Sequence, residues 1–188
     1  MALDQLDVVA EYATDRLAVV HNGIIENFRE LKRELQAHGI AFETDTEVVA
    51  QAVSHAMAQG LGPVEAVAAT LPKLRGAFAL GFLFAGRDDL LIGARHGAPL
   101  AIGYGEGETY LGSDALALAP FTDEITYLEE GDWAILTREG AEIRDVAGRP
   151  VERPRQKIAA QAYRIDKGNH RHFMAKEIHE QPEVVAWG

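Results

Sequence analysis

Between residues 76 and 146 the chain repeats one pattern seven times: a short apolar run, then a turn. The runs fall at 76–84, 90–94, 100–103, 109–111, 125–128, 133–137 and 141–146. Gly86-Arg-Asp-Asp, Gly97-Ala-Pro, Gly103-Tyr-Gly-Glu-Gly, Glu130-Gly-Asp and Glu139-Gly separate them. Runs this close leave no room for crossover helices, so the pattern predicts antiparallel sheet and argues against strand–helix–strand units.

The first third reads differently. Residues 15–21 are a Val-rich run that predicts a strand, broken by Asn22-Gly23. Asn27 stands where a cap would open a helix to about Gln36, with Phe28, Leu31 and Leu35 on one face and Gly39 as its stop. Residues 40–42 suggest a brief strand. Thr44-Asp-Thr-Glu has the spacing of a capping box, and the helix behind it turns Val48, Val49, Ala52, Val53 and Ala56 inward. Pro63 fits the first turn of a third helix. Helices followed by many strands predict an α+β fold in which helices layer on sheet faces. Past residue 148 the pattern lapses. Residues 149–168 are polar, hold Pro150 and Pro154, and read as an extended linker, with a helical turn at 172–180.

Composition narrows the function. The chain has 188 residues and is 47% hydrophobic, enough to bury a sizeable core. A net charge of −11 argues against nucleic acid and anionic membranes, because neutralising phosphates takes clustered Lys and Arg. With no cysteine, disulfides, thiolate metal sites and thiol catalysis are excluded within these residues. The opening Met1-Ala-Leu-Asp has no signal-peptide pattern, and the apolar stretch 76–86 is too short for a membrane helix. Together these predict a cytoplasmic protein.

Few residues suggest chemistry. Ser113-Asp114 reads as a helix start, and His55 lies in a helical apolar pattern. His170, His172 and His179 with Glu177 and Glu180 have no metal-ligand spacing, so no metal is expected. Gly103-Tyr-Gly-Glu-Gly joins two strands and opens no helix, and no Walker motif occurs, so no cofactor is expected. Asn22-Gly23 stands out. The Asn22 side-chain NH₂ and the Gly23 backbone N–H can converge on one oxygen, although Asn-Gly alone is equally a favoured hairpin turn.

Longer strings decide between these readings. Residues 17–30 contain His-Asn-Gly-Ile-Ile-Glu-Asn. Then come Glu-Thr-Asp-Thr-Glu-Val-Val at 43–49, Leu-Arg-Gly-Ala at 74–77 and Gly-Ala-Pro-Leu at 97–100. Ser-Asp-Ala-Leu-Ala-Leu at 113–118, Leu-Glu-Glu-Gly-Asp at 128–132 and Phe-Met-Ala-Lys-Glu-Ile-His-Glu-Gln-Pro at 173–182 follow. In this order they resemble the glutaminase domain of the glutamine–fructose-6-phosphate aminotransferase family, from about residue 15 to the C-terminus. The resemblance implies a partial N-terminal-nucleophile (Ntn) hydrolase fold, an αββα sandwich of antiparallel sheets flanked by helices. It implies an enzyme that moves the amide nitrogen of L-glutamine to fructose 6-phosphate, giving glucosamine 6-phosphate and glutamate, in a homodimeric parent.

By the same resemblance Asn22 and Gly23 match the oxyanion hole, and Asp45 matches the residue that holds the α-ammonium of glutamine. A carboxylate can pair with an ammonium, and in a first helical turn it also complements the dipole; the two roles are compatible. The implied organisation is an unmatched extension at 1–14, a partial glutaminase domain at 15–148, and a linker at 149–188 to a sugar-isomerase domain absent from this sequence. The family's nucleophile is an N-terminal cysteine. Here Met1 opens the chain, and the family's arginine- and tryptophan-containing glutamine loop has no counterpart. The chain alone is therefore expected to be inactive. The alternatives are a non-catalytic glutamine-binding or interaction module, or a fragment of another class II amidotransferase.

Overall fold

The computed structural model describes residues 12–40 and 44–158. In chain order the elements are β1 (Tyr12–Ala13), β2 (Leu17–Ile25), α1 (Phe28–Ala37), α2 (Asp45–Ala58), α3 (Pro63–Thr70), β3 (Gly76–Phe84), β4 (Leu91–His96) and β5 (Ala101–Gly105). They continue with β6 (Glu108–Gly112), α4 (Ala115–Leu118), β7 (Glu124–Tyr127), β8 (Trp133–Thr137), β9 (Gly140–Arg144), β10 (Pro150–Val151) and β11 (Gln156–Lys157).

Two antiparallel sheets result. One has seven strands in the order β1-β2-β3-β4-β8-β9-β10; the other has four, β11-β7-β5-β6. Period-two alternation builds the layers. Phe78, Leu80, Phe82 and Phe84 of β3 face the helices, where Leu31, Leu35, Val48, Val49, Val53 and Val67 meet them. The opposite face of that sheet presents Ala79, Ala134, Leu136 and Ile143 to Leu100, Ile102 and Leu128. On the far side Ala115 and Leu118 of α4 cover Ala101 and Ile125. The order helix–sheet–sheet–helix is the sandwich that the family resemblance implies. Glycines let its sheets close up. Gly81 and Gly93 are cross-strand partners, and a Cβ on Gly93 would stand 2.7 Å from Leu111 Cδ1.

Local signals hold in several places. Thr44 Oγ1 accepts the Glu47 N–H at 3.2 Å, and Asp114 Oδ1 accepts the Ala117 N–H at 2.9 Å, so both helices carry side-chain caps. Pro63 takes the first position of α3. Gly39, at φ +81°, follows the end of α1.

Two readings are corrected. Asn22-Gly23 does not break the strand. β2 runs on to Ile25, paired with β3 from Leu17↔Phe84 through Ile25↔Gly76. Continuous pairing outweighs the turn preference of an isolated Asn-Gly. Nor does the Asn27 side chain cap α1. Its Nδ2 donates to the Lys73 carbonyl at 2.8 Å and its Oδ1 accepts the Arg75 N–H at 2.9 Å, tying the start of α1 to the approach of β3.

Within the stretch read as extended, β10 adds to β9 and β11 adds to β7. Just before β10, Arg149 closes a turn on Asp145 and holds that carboxyl below the usual carboxylate range. The strand read at 40–42 falls mostly outside the described residues. The tail histidines and the helical turn at 172–180 lie wholly outside them. Among the described residues no helix is long and apolar enough to cross a membrane.

Candidate functional site

β2 carries two faces of opposite character. Leu17, Val19, His21 and Ile25 point into the helix layer and are buried. Val20, Asn22 and Ile24 alternate with them; Val20 is 38% and Ile24 65% exposed, and Asn22 is exposed as well. Cross-strand pairing puts Asn22 beside Ala79 and Val20 beside Gly81, on the face where the second sheet covers β4 and β8.

Gly23 follows Asn22 with φ +125°. A Cβ there would overlap the Ala77 carbonyl oxygen and come within 2.8 Å of Phe78 Cα. Only glycine lets β2 and β3 run this close with the backbone in that conformation. Ala77 also touches the next loop, because a Cβ on Gly97 would lie 2.7 Å from Ala77 Cβ. Gly97 is held in turn by Glu130, whose two carboxylate oxygens accept its N–H at 2.9 and 3.1 Å. Glu130 further pairs with Arg95 Nη2 at 3.4 Å and His96 Nε2 at 3.5 Å. The Gly97-Ala-Pro loop thus flanks the Asn22-Gly23 stretch. His96 Nδ1 lies 2.6 Å from the Gly76 carbonyl oxygen, which only accepts, so a hydrogen bond there needs a proton on Nδ1; Nε2 bonds Glu130 only when the ring is doubly protonated.

Asp45, the third expected site residue, is the first residue of α2. The next residue, Thr46, is buried, and its Oγ1 lies 3.0 Å from His21 Nδ1. The structure therefore sets Asn22 on an open strand face with Gly23 next to it in the strand, and ties the start of α2 to the same strand from behind. Sequence reasoning gave no role to His21, Thr46 or Glu130. One signal was present: His21 is a polar residue in an inward row otherwise made of Leu17, Val19 and Ile25.

Asn22 and Gly23 offer neutral N–H donors, suited to an oxygen that gains negative charge. They cannot attack a carbonyl, and the chain has no cysteine. Among the described residues no group of three or more His, Asp or Glu is placed to hold a metal ion.

The two-sheet sandwich is that of the amidotransferases of N-terminal-nucleophile fold, as comparison with known proteins shows. Residues 8–120 match the glutamine amidotransferase domain, and the chain belongs to that family. It is 64% identical over 176 residues to the glutamine–fructose-6-phosphate aminotransferase [isomerizing] of Bradyrhizobium diazoefficiens, covering 93% of this chain and 29% of that protein. The protein of that name from Brucella abortus biovar 1 is 62% identical over 177 residues, with the same coverage of 93% and 29%. Among solved structures, the glutamine phosphoribosylpyrophosphate amidotransferase from B. subtilis complexed with ADP and GMP superposes with a TM-score of 0.57 at 27% identity, over 71% of this chain and 30% of that one. The chain spans less than a third of the length of these relatives.

Proposed function

We propose that this chain is the main part of the glutaminase domain of an enzyme that transfers the amide nitrogen of L-glutamine to fructose 6-phosphate, giving glucosamine 6-phosphate and glutamate. The observation that carries the reading is the 64% identity to a protein of that name across 93% of the chain. Asn22 and Gly23 donate to the oxyanion formed when the glutamine carbonyl is attacked. Asp45 pairs with the α-ammonium. The attacking cysteine comes from sequence outside these 188 residues, as do the sugar-isomerase domain and the sugar site. Residues 15–148 form the glutaminase part, 1–14 an extension, and 149–188 a linker toward the isomerase; the whole enzyme is a cytoplasmic homodimer.

The reaction divides in two. Sulfur adds to the amide carbon, the C–N bond breaks and ammonia leaves; water then hydrolyses the thioester to glutamate. Donors at Asn22 and Gly23 serve both tetrahedral intermediates, which is where their binding lowers the barrier.

A domain exchange tests this. The chain replaces the matching 176 residues of the Bradyrhizobium relative, and glutamate and glucosamine 6-phosphate are measured. The exchanged enzyme is expected to form both, and Asn22→Ala to lower kcat for glutamate release about 100-fold. A folded exchanged enzyme that hydrolyses no glutamine would overturn the proposal. The second reading, a glutamine-binding module without catalysis, draws on the absence of cysteine. It predicts that the isolated chain binds glutamine at micromolar concentration in a calorimetric titration.

A further inference from the structure

We infer that the hydrogen bond between His21 and Thr46 is a positioning contact, which sets where Asp45 stands relative to Asn22 and Gly23. The inference rests on the roles proposed above for these three residues. They come from two layers: Asn22 and Gly23 lie on β2 in the sheet, and Asp45 opens α2 in the helix layer. L-Glutamine reaches only a limited distance between its α-ammonium and its side-chain amide, and a site that grips both selects one rotamer. A site that grips both ends must hold its two layers at one offset.

His21 and Thr46 meet that need with no slack in the chain. His21 directly precedes Asn22, and Thr46 directly follows Asp45. Their bond, His21 Nδ1 to Thr46 Oγ1 at 3.0 Å, crosses between the layers one residue from each gripping point. Both side chains are 6% exposed. The surroundings are apolar, with Val19, Val48, Val49 and Ala50 fully buried in the same core. Apolar contact is non-directional and lets a helix slide on a sheet, whereas a buried hydrogen bond fixes one register. An apolar pair of the same shape would stabilise the core about as well, so packing alone does not call for this polar pair. An offset of one ångström at such a site costs binding and orientation far more than it costs folding.

The test uses the exchanged enzyme described above, with glutamate release followed against glutamine concentration. Thr46→Val keeps shape and removes the hydroxyl. It is expected to raise the KM for glutamine about tenfold while kcat changes less than about twofold, and Thr46→Ser, which restores the hydroxyl, brings KM back. In an Asp45→Asn background Thr46→Val is expected to add nothing, because the residue it positions has lost its charge. Thermal unfolding of each variant guards against loss of fold. An unchanged KM in Thr46→Val overturns the inference. So does a fall in kcat and melting temperature together that Thr46→Ser does not repair. If Asp45→Asn raises KM and Thr46→Val raises it further by the full factor, the inference fails and the assigned role of Asp45 stands. If Asp45→Asn leaves KM unchanged, that role fails and the inference falls with it.

Discussion

Gly23 has the least freedom of any residue at the site. Its φ of +125° already disfavours a side chain, and the Ala77 carbonyl occupies the space a Cβ would need. Gly39 separates the two effects, since its φ is +81° but nothing stands within 4 Å of a Cβ there. Gly39→Ala is expected to cost about 1–2 kcal/mol from conformation alone. Gly23→Ala should cost at least about 2 kcal/mol more, because β2 and β3 must part. Urea unfolding of the isolated chain measures both. Equal losses would mean that the strands yield without strain. At this scale the sequence spoke clearly about identity and poorly about conformation. Asn22-Gly23 was legible as an unusual pair, yet it read as a break, because both residues tolerate turns. The cross-strand partners Ala79 and Phe78 lie more than fifty positions away, and no local pattern reports them.

Between elements, the strongest polar tie joins the β8 approach to the segment before β11. Asp132 is buried, and its carboxylate takes Arg153 Nε at 2.8 Å and Nη2 at 2.9 Å, plus the Glu129 N–H at 2.8 Å. Asp132→Ala removes three hydrogen bonds from this tie but leaves Arg153 paired with Glu129 at 3.0 Å, so it is expected to destabilise the domain by about 2 kcal/mol. The exposed pair Arg87–Asp89, 3.3 Å apart, is the control: Arg87→Ala should change stability by less than about 0.5 kcal/mol. Denaturation midpoints distinguish the two, and equal midpoints would show that Glu129 alone suffices to hold Arg153. Helix starts at Thr44, Pro63 and Asp114 were readable because caps are local chemistry. Asn27 does stand at the start of α1, but its side chain caps nothing there, because its partners, the Lys73 carbonyl and Arg75 N–H, belong to a distant approach to β3. The strands β10 and β11 escaped notice because two residues carry no periodicity.

At the scale of the molecule, the sheets formed by the described residues are unequal, seven strands against four. The face of β2 bearing Val20 and Ile24 is left open while the same face of β8 is covered. Exposed apolar strand faces associate. The isolated chain is expected to self-associate in sedimentation runs at rising concentration, and Val20→Thr with Ile24→Thr to raise the monomer fraction. A chain that stays monomeric without these changes would count against an adhesive face. The layered α+β architecture was legible because alternation and turn spacing suffice for it. The open face was not, since no residue announces what lies opposite it.

On the function proposed above, that open face also governs when Asn22 can act as a donor. Asn22 shares it with Val20 and Ile24, so whatever buries those two side chains also closes over the amide of Asn22. Exposed to bulk water, an N–H donor gives an oxyanion little that water does not already give; enclosed, the same donor counts for several times more. On that proposal, covering this face and enclosing the donors are therefore a single event.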